Sequence, residues 1–152
     1  MFKRILWATD FSEHATHARD WAVHCAQCSG GKLFALAVVD VADVPVLADV
    51  PTPEVSQANL ARAEAWTEAE LARVVQERLA HEVAEIMAAR VEVEPVVRLG
   101  VPWQQIVAAA EELEVNMIVL GAHGKHAWKT LLLGNTVENV TKHATCPVMI
   151  IR

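Results

Sequence analysis

The sequence has no tyrosine and few aromatic side chains of any kind, five tryptophans and three phenylalanines among 152 residues. This shortage does not indicate a fold class. An excess of positive charge is also missing, because 13 lysine and arginine residues stand against 19 acidic ones and the net charge is −6 with neutral histidine. A protein that binds a nucleic-acid backbone needs a basic face, so we expect no nucleic-acid partner. A small nucleotide is still compatible, because a loop can bind phosphate through backbone N–H groups.

Long apolar runs are absent as well. No stretch approaches the roughly 18 residues that a membrane helix needs, so we expect no contact with a membrane. Only a short apolar stretch follows Met1–Arg4 before Asp10, which is not typical of a secretory signal. The three cysteines form an odd set without framework spacing, as free thiols in a reducing compartment do. We therefore expect a cytoplasmic protein.

The chain has enough length and enough apolar residues, 53%, for one domain with a proper core over residues 1–152. Apolar runs typical of buried strands alternate with helix-like segments. Strands are predicted over 3–9, 33–39, 91–97, 116–120 and 147–151. Helices are predicted over 13–29, 57–89, after Gly100-Val101-Pro102, and over 135–143. This alternation predicts an α/β fold, a doubly wound five-stranded parallel sheet with helices on both faces.

The third strand contains Pro95, which cannot donate to a ladder and therefore belongs at a sheet edge. With right-handed crossovers, the strand order 3-2-1-4-5 fits. The chain then reverses direction between strands 1 and 4, and ligands of open α/β sheets bind at such a switch point. The strand ends that meet there are Thr9-Asp10 and Leu120-Gly121.

Details of the helices are predicted from caps and spacing. Ser12 is expected to cap the first helix, Gly30-Gly31 to end it, and its inner face to carry Ala15, Ala18, Ala22 and Cys25. The long second helix shows an inner stripe and two opposite-charge pairs at i,i+4 spacing. The stripe comprises Leu71, Val75, Leu79, Val83, Ile86 and Met87, and the pairs are Arg73/Glu77 and Arg78/Glu82. The proline-rich residues 41–55 are predicted to form a loop, and Asn135-Thr136-Val137-Glu138 resembles a capping box.

Three glycines follow the fourth strand, Gly121, Gly124 and Gly134, with the last at a helix start. Each alone has an ordinary explanation, as a strand end, a turn or a residue before a cap. Together, at the switch point, they predict a cradle of backbone N–H groups for an anion, with the positive end of the helix at Asn135 beside it.

The chain resembles the universal stress protein family. Its nucleotide-binding members carry G-x2-G-x9-G-[S/T], and Gly121, Gly124 and Gly134 have the same spacing. Residues 5–12, ILWATDFS, are similar to the family's first strand and its Thr-Asp-x-Ser turn. Further similar segments are Val38-Val39-Asp40, Gly100-Val101-Pro102 and Cys146-Pro147-Val148-Met149-Ile150-Ile151. The family's fold is Rossmann-like, of the adenine nucleotide alpha hydrolase-like type.

This resemblance implies ATP or AMP in the crevice, with Mg²⁺ able to bridge the phosphates. It implies that Asp10 and the backbone of Val38 lie by the adenine, and that Leu120 and Gly121 lie by the ribose and first phosphate. Gly124, Gly134 and Asn135 would hold phosphates. Thr9, His123 and Thr136 complete the candidate nucleotide-binding residues.

Position 135 departs from the family pattern, because asparagine stands where the family has serine or threonine. The amide can still donate a hydrogen bond. The loss of one hydrogen bond would cost about 0.5–1.5 kcal/mol. We therefore expect nucleotide binding with reduced phosphate affinity.

Other chemistry-bearing residues have ordinary interpretations. Cys25-Ala26-Gln27-Cys28 lacks a second cysteine pair for zinc, and it lies near a helix C-terminus, where a thiolate is not stabilised. Histidines recur three apart, as His14/His17 and His123/His126, without a carboxylate or thiol partner at ligand spacing. We expect buried or half-buried thiols, surface histidines, no metal site and no catalytic residue.

Three functions remain open. The first is a regulatory module whose conformation or partners depend on ATP or AMP. The second is a dimeric interaction module with a weakened or vestigial pocket, and the third is a slow ATPase. The resemblance implies a homodimer through the last strand, whose apolar edge comprises Val148, Met149, Ile150 and Ile151.

Overall fold

A computed structural model of the chain describes residues 2–40, 68–123 and 134–152. Strands and helices alternate along these ranges as β1 (Arg4–Thr9), α1 (Glu13–Ser29), β2 (Lys32–Val39), α2 (Glu68–Ala88), β3 (Glu92–Leu99), α3 (Pro102–Glu112), β4 (Met117–Gly121), α4 (Asn135–His143) and β5 (Val148–Ile151). All strands are parallel and lie in the order β3-β2-β1-β4-β5, which confirms the predicted topology. The predicted loop over 41–55 and the first part of the predicted helix over 57–67 lie outside the described residues.

The sheet is covered on both faces because successive side chains of a strand point in opposite directions. In β1, Ile5 and Trp7 pack into a core with α1 and α2, whereas Leu6 and Ala8 pack into a second core with α3 and α4. Both faces of the central strands are therefore apolar, which explains the continuous apolar runs of the sequence.

Helix α1 begins and ends where its caps predict. The Ser12 side chain accepts a hydrogen bond from the Ala15 N–H, and Gly30 ends the helix in the left-handed conformation. The inner face carries a run of alanines at helical spacing, and its fourth member is Ala26 rather than the predicted Cys25, which is only half-buried.

Helix α2 confirms most of its predicted stripe, with Leu71, Val75, Leu79 and Ile86 buried and Val83 partly buried. Met87 is 61% exposed, so its assignment to the inner face was wrong. A spacing of 3.6 residues per turn cannot bring two adjacent residues onto one narrow face. The Arg73–Glu77 pair is present with a separation of 2.7 Å.

The predicted Arg78–Glu82 pair is replaced by contacts between elements. The Arg78 guanidinium lies 4.6 Å from the ring centre of Phe11, and Glu82 pairs with Arg19 of α1 at 2.6 Å. Helical spacing shows which residues are near each other on α2, but the neighbouring helix and turn provide closer partners.

The two outer strands of the sheet are β3 and β5. Pro95 lies in β3, the edge strand beyond β2, as its missing N–H requires. At the opposite edge, β5 pairs with β4 on one side, and its four residues are half-buried. Within the described ranges, no helix is both long and apolar enough to cross a membrane.

Candidate functional site

A cavity of about 360 Å³ opens at the carboxyl ends of β1, β2 and β4, where the strand order reverses direction. Its size is within the range of roughly 300–1,000 Å³ that is typical of small-molecule sites. Its walls come from both helix layers as well as from the sheet. The described lining residues are Ala8, Thr9, Asp10, Phe11, Ala15, Leu36, Val38, Val39, Asp40, Val75, Pro102, Ile106, Leu120, Gly121, His123, Gly134, Asn135, Thr136 and Val137.

The turn after β1 is shaped by its own side chains. The Thr9 hydroxyl accepts a hydrogen bond from the Phe11 N–H at 2.9 Å, and the Asp10 carboxylate accepts one from the Ser12 N–H at 3.0 Å. Phe11 has a φ of +63°, a conformation that is unusual for a bulky residue. Such local strain is common at functional sites. Thr9 and Asp10 therefore hold the rim of the cavity in shape as well as lining it.

Gly121 is required by packing between β4 and the first turn of α1. A Cβ atom at this position would lie 2.7 Å from the carbonyl carbon of His14, 2.8 Å from its oxygen and 2.9 Å from the Ala15 nitrogen. Backbone atoms of a helix cannot move aside as a flexible side chain can. The glycine thus brings α1 against the end of β4, which is a structural reason separate from any ligand.

Substitution of Gly121 by alanine is expected to destabilise the fold by about 1–3 kcal/mol, the usual cost of overpacking. The added methyl would push the start of α1 away from the sheet and deform the cavity wall at Ala15. Urea unfolding followed by circular dichroism measures the loss. Gly134→Ala is the comparison, since Gly134 has a φ of −62° that alanine adopts freely. Equal stability of Gly121→Ala and the unmodified protein would contradict the packing role.

The start of α4 faces the cavity without a capping side chain. Gly134 is the N-cap and makes no side-chain hydrogen bond, so the predicted capping box was wrong. Asn135 is already the first helical residue rather than the cap. The first N–H groups of a helix have no partners within it, and they carry the positive end of its dipole. An uncapped helix start on a cavity wall is suited to an anion.

Asn135 is oriented by a residue one turn further along α4. The Asn139 side-chain NH₂ donates to both the Asn135 side-chain oxygen, at 2.6 Å, and its backbone oxygen, at 2.8 Å. Because the amide oxygen of Asn135 is engaged in this way, its NH₂ group is the part that can donate to a ligand.

The two ends of the glycine-bounded loop are joined at its base. The Gly134 N–H donates to the Ala122 carbonyl at 3.2 Å, and the Ala122 N–H donates to the Ile151 carbonyl at 2.7 Å. These bonds tie the start of α4 to the end of β4 and to β5. The position of the α4 N-terminus is thus fixed by the sheet itself.

The cavity has chemically different ends. Its apolar wall includes Leu36, Val39 and Ile106, which are buried members of the two cores. The polar end brings together the backbone around Gly121 and Gly134 with three side chains that can form hydrogen bonds, those of His123, Asn135 and Thr136. The charged side chains on the described wall are both acidic, Asp10 and Asp40.

Two histidines meet beside the polar end. The His14 ring on α1 lies 5.3 Å from that of His123 after β4, centre to centre, with the ring planes at 71°. Their half-burial contradicts the expectation of surface histidines, although His17 is exposed as predicted. The fold pairs His14 with His123 because α1 packs against the end of β4. His126 lies outside the described residues.

Nine of the ten predicted nucleotide-binding residues line this one cavity, and the tenth, Gly124, lies outside the described residues. The apolar wall of the cavity was not predicted from the sequence. Val75 and Ile106 have the helical spacing of ordinary core residues, and that pattern carries no sign of a cavity. Phe11 was within the recognised turn, but its backbone conformation is visible only in three dimensions.

The three cysteines are free. Burial, with a smaller contribution from Cys28, raises the pKa of the Cys25 thiol. A raised pKa lowers the thiolate fraction, which does not suit a redox nucleophile. Cys28 is exposed, and its sulfur lies 3.6 Å from the Nε2 atom of His24. Among the described residues, no group of three or more histidine, cysteine or acidic side chains is arranged to hold a metal ion.

Sequence comparison identifies relatives over the full length of the chain. The model of the universal stress protein family matches residues 1–152. Universal stress protein MJ0577 of Methanocaldococcus jannaschii is 29% identical over 156 residues, which cover 100% of this chain and 96% of that protein. Universal stress protein YxiE of Bacillus subtilis is 30% identical over 158 residues and is covered completely.

Solved structures show the same architecture. The structure of MJ0577 superposes with a TM-score of 0.79 and 26% identity, over 99% of this chain and 96% of the other. A universal stress protein of Archaeoglobus fulgidus in complex with dAMP has a TM-score of 0.68 and 18% identity, over 100% of this chain and 98% of that one. A universal stress protein in complex with cAMP has a TM-score of 0.65 and 20% identity, over 99% and 97%.

Proposed function

The chain belongs to the universal stress protein family, and from that premise we propose that it is a regulatory module that binds an adenine nucleotide, ATP or AMP. The observation that carries the proposal is the cavity at the switch point, with an apolar wall and an uncapped helix N-terminus at its polar end. An adenine nucleotide has a flat, weakly polar base and an anionic phosphate end, and this cavity matches both. Proteins of the same fold hold dAMP and cAMP.

We place the adenine between the ends of β1 and β2. Asp10 and the backbone of Val38 lie on this part of the wall, with Val39 and Ile106 nearby. An aliphatic wall removes the faces of the base from water, and polar groups at the strand ends can recognise its edge. Thr9 supports this arrangement because its hydroxyl fixes the turn that follows Asp10.

We place the phosphates at the start of α4. Gly121 and Leu120 line the approach from β4, and Gly134 and Thr136 line the helix start. Backbone N–H groups and the helix dipole favour an anion here by about 0.3–1 kcal/mol per charge, and by up to roughly 2 kcal/mol when partly buried. Asn135 adds its side-chain NH₂, and His123 adds a ring nitrogen. Gly124 is assigned to the same end from the family resemblance.

Mg²⁺ suits this arrangement as a companion of the nucleotide rather than as a resident ion. It usually keeps several waters and binds substrate phosphates together with one or two carboxylates. The described lining residues supply Asp10 and Asp40 as carboxylates. We therefore expect Mg²⁺ to bind only together with a nucleotide that has two or more phosphates.

Identification of the nucleotide that copurifies tests the proposal directly. Acid release from freshly purified protein, followed by chromatography, is expected to yield ATP or AMP. Calorimetry on nucleotide-free protein, with and without Mg²⁺, is expected to show one site per chain. The absence of heat with millimolar ATP and with millimolar AMP would sink the proposal, provided that circular dichroism shows the protein to be folded.

A slow ATPase is the alternative enzyme function. Hydrolysis needs an oriented water and positive charge to stabilise the transferred phosphoryl group. The described wall has two carboxylates and no lysine or arginine. We therefore expect at most slow turnover and propose no catalytic residue. Robust phosphate release from ATP would instead favour the enzyme over the regulatory module.

A dimeric interaction module with a weakened pocket is the other alternative, and the free edge of the sheet supports its dimeric part. Beyond β5, the sheet formed by the described residues carries no further strand. The edge is Val148-Met149-Ile150-Ile151, and a second copy pairing antiparallel would cover it. We propose this homodimer for the nucleotide-binding form as well. A monomer by light scattering at micromolar concentration would contradict it.

We also propose a cytoplasmic location. Cys25, Cys28 and Cys146 are all free, and free thiols persist in a reducing compartment.

A further inference from the structure

The His14–His123 pair has polar atoms that the described residues leave unsatisfied. The Nδ1 atoms of both rings are buried, and neither has a hydrogen-bond partner in the described part of the chain. Buried polar atoms in native proteins are nearly always satisfied by protein, water or an ion. Two such atoms on adjacent rings therefore indicate a species that binds between or beside them.

The backbone beside each histidine is anchored to the sheet. The His14 backbone is wedged against Gly121, and the next carbonyl, that of Ala15, accepts a hydrogen bond from the buried indole of Trp7 at 2.9 Å. On the other side, His123 follows Ala122, whose N–H is bound to β5. Ligands that are fixed in this way lose little freedom when they bind an ion, as functional sites require.

We propose that His14 and His123 bind a divalent transition-metal ion, with Zn²⁺ as the best-fitting representative. Imidazole nitrogen is a favoured ligand for zinc, copper and nickel, and not for magnesium. Zinc–nitrogen bonds of roughly 2.0–2.1 Å at a tetrahedral angle place the centres of two bound imidazoles about 5.2 Å apart. The observed separation is 5.3 Å. The spacing of the two ring centres therefore requires no movement of α1 away from β4 for zinc to bind.

Two histidines leave coordination positions of the ion open for water or for oxygen ligands. His123 lines the cavity, so an ion on this pair would lie beside the polar end where we place the phosphates. The further step, that a nucleotide phosphate completes the coordination, rests on the proposed function. The metal site itself does not, because it depends only on the two histidines.

Zinc binding is tested with the full chain stripped of metal and nucleotide. Titration with Zn²⁺ alone, in the calorimeter, is expected to show one site per chain. His14→Ala and His123→Ala are each expected to weaken it by at least about tenfold, since the loss of a mere supporting partner already costs 10–100-fold at zinc sites. His14→Gln and His123→Gln, which keep the side-chain size, serve if an alanine variant fails to fold.

Two matched controls distinguish this site from the other histidines of α1. His17→Ala removes an exposed imidazole three residues from His14 and is expected to leave zinc affinity unchanged. His24→Ala removes the exposed neighbour of Cys28, a second close pair with metal-binding chemistry among the described residues, and is also expected to leave zinc affinity unchanged. In NMR spectra, zinc is expected to shift the imidazole signals of His14 and His123.

Three outcomes would overturn the site. They are a lack of saturable zinc binding, zinc binding that survives in both His14→Gln and His123→Gln, and imidazole shifts confined to other histidines. The nucleotide titration is run separately with a chelator present. Protein that binds ATP without binding zinc overturns only the metal site, and protein that binds zinc but no nucleotide overturns only the proposed function.

Discussion

Aspartate in place of Asn135 is expected to lower the affinity for ATP by about 10–100-fold, or about 1.4–2.8 kcal/mol. The new carboxylate would stand at the start of α4, where the phosphates are placed, and like charges about 5 Å apart repel by roughly 3 kcal/mol at an effective dielectric constant of 20. Screening by salt and Mg²⁺ reduces this value. Calorimetric titration of nucleotide-free protein with ATP measures the change.

The same substitution is expected to leave the fold intact. Aspartate is almost the same size as asparagine, and a negative charge in the first turn favours the helix by about 0.3–1 kcal/mol. Its oxygens can still accept the hydrogen bond from Asn139. A loss of affinity together with unchanged or higher thermal stability would therefore separate repulsion of phosphate from damage to α4.

Serine in place of Asn135 is the matched control with the opposite sign. It replaces the larger amide with the hydroxyl of the family pattern, and ATP affinity is expected to rise by up to about tenfold, the value of one better-formed hydrogen bond to a charged phosphate. Adenosine has no phosphate and should bind the unmodified protein, Asn135→Asp and Asn135→Ser with equal affinity. If Asn135→Asp weakens adenosine as much as ATP, the phosphates do not lie at the start of α4.

Alanine in place of Trp7 is expected to lower the free energy of unfolding by about 3–5 kcal/mol, the usual cost when a buried tryptophan is truncated. Trp7 is fully buried on the central strand β1, in the core that α1 and α2 share. Its indole N–H also donates to the Ala15 carbonyl at 2.9 Å, so the variant loses a link between sheet and helix. Domains have a total stability of roughly 5–15 kcal/mol, so this loss is a large fraction.

Urea unfolding followed by far-ultraviolet circular dichroism measures this effect without relying on tryptophan emission. Trp21→Ala is the control, because Trp21 lies on α1 and is 52% exposed, and we expect a change within about 0.5 kcal/mol. Trp7→Phe keeps an aromatic ring but loses the N–H donor, and it should lie between the two. A loss below 1 kcal/mol for Trp7→Ala would show that β1 and α1 can close over the missing indole.

The layered α/β architecture and its topology follow from features that can be recognised in the amino-acid sequence. Continuous apolar runs require strands covered on both faces, Pro95 requires an edge, and right-handed crossovers leave few arrangements of the remaining strands. The caps of α1 were likewise local, because Ser12 and Gly30 act within one turn of themselves. The family resemblance and the glycine spacing then predicted the nucleotide-binding residues. All of those that the structure describes line one cavity.

The contacts between elements across that cavity could not be predicted in this way. Helical periodicity gives the inner face of α2, but it cannot show that Arg78 lies on Phe11 while Glu82 pairs with Arg19. Spacing along the chain likewise gives no sign that His14 contacts His123, which follows from the close packing of α1 against β4 at Gly121. Local sequence fixes dihedral angles and exposure patterns, whereas contacts between residues far apart in the chain follow from how whole elements pack.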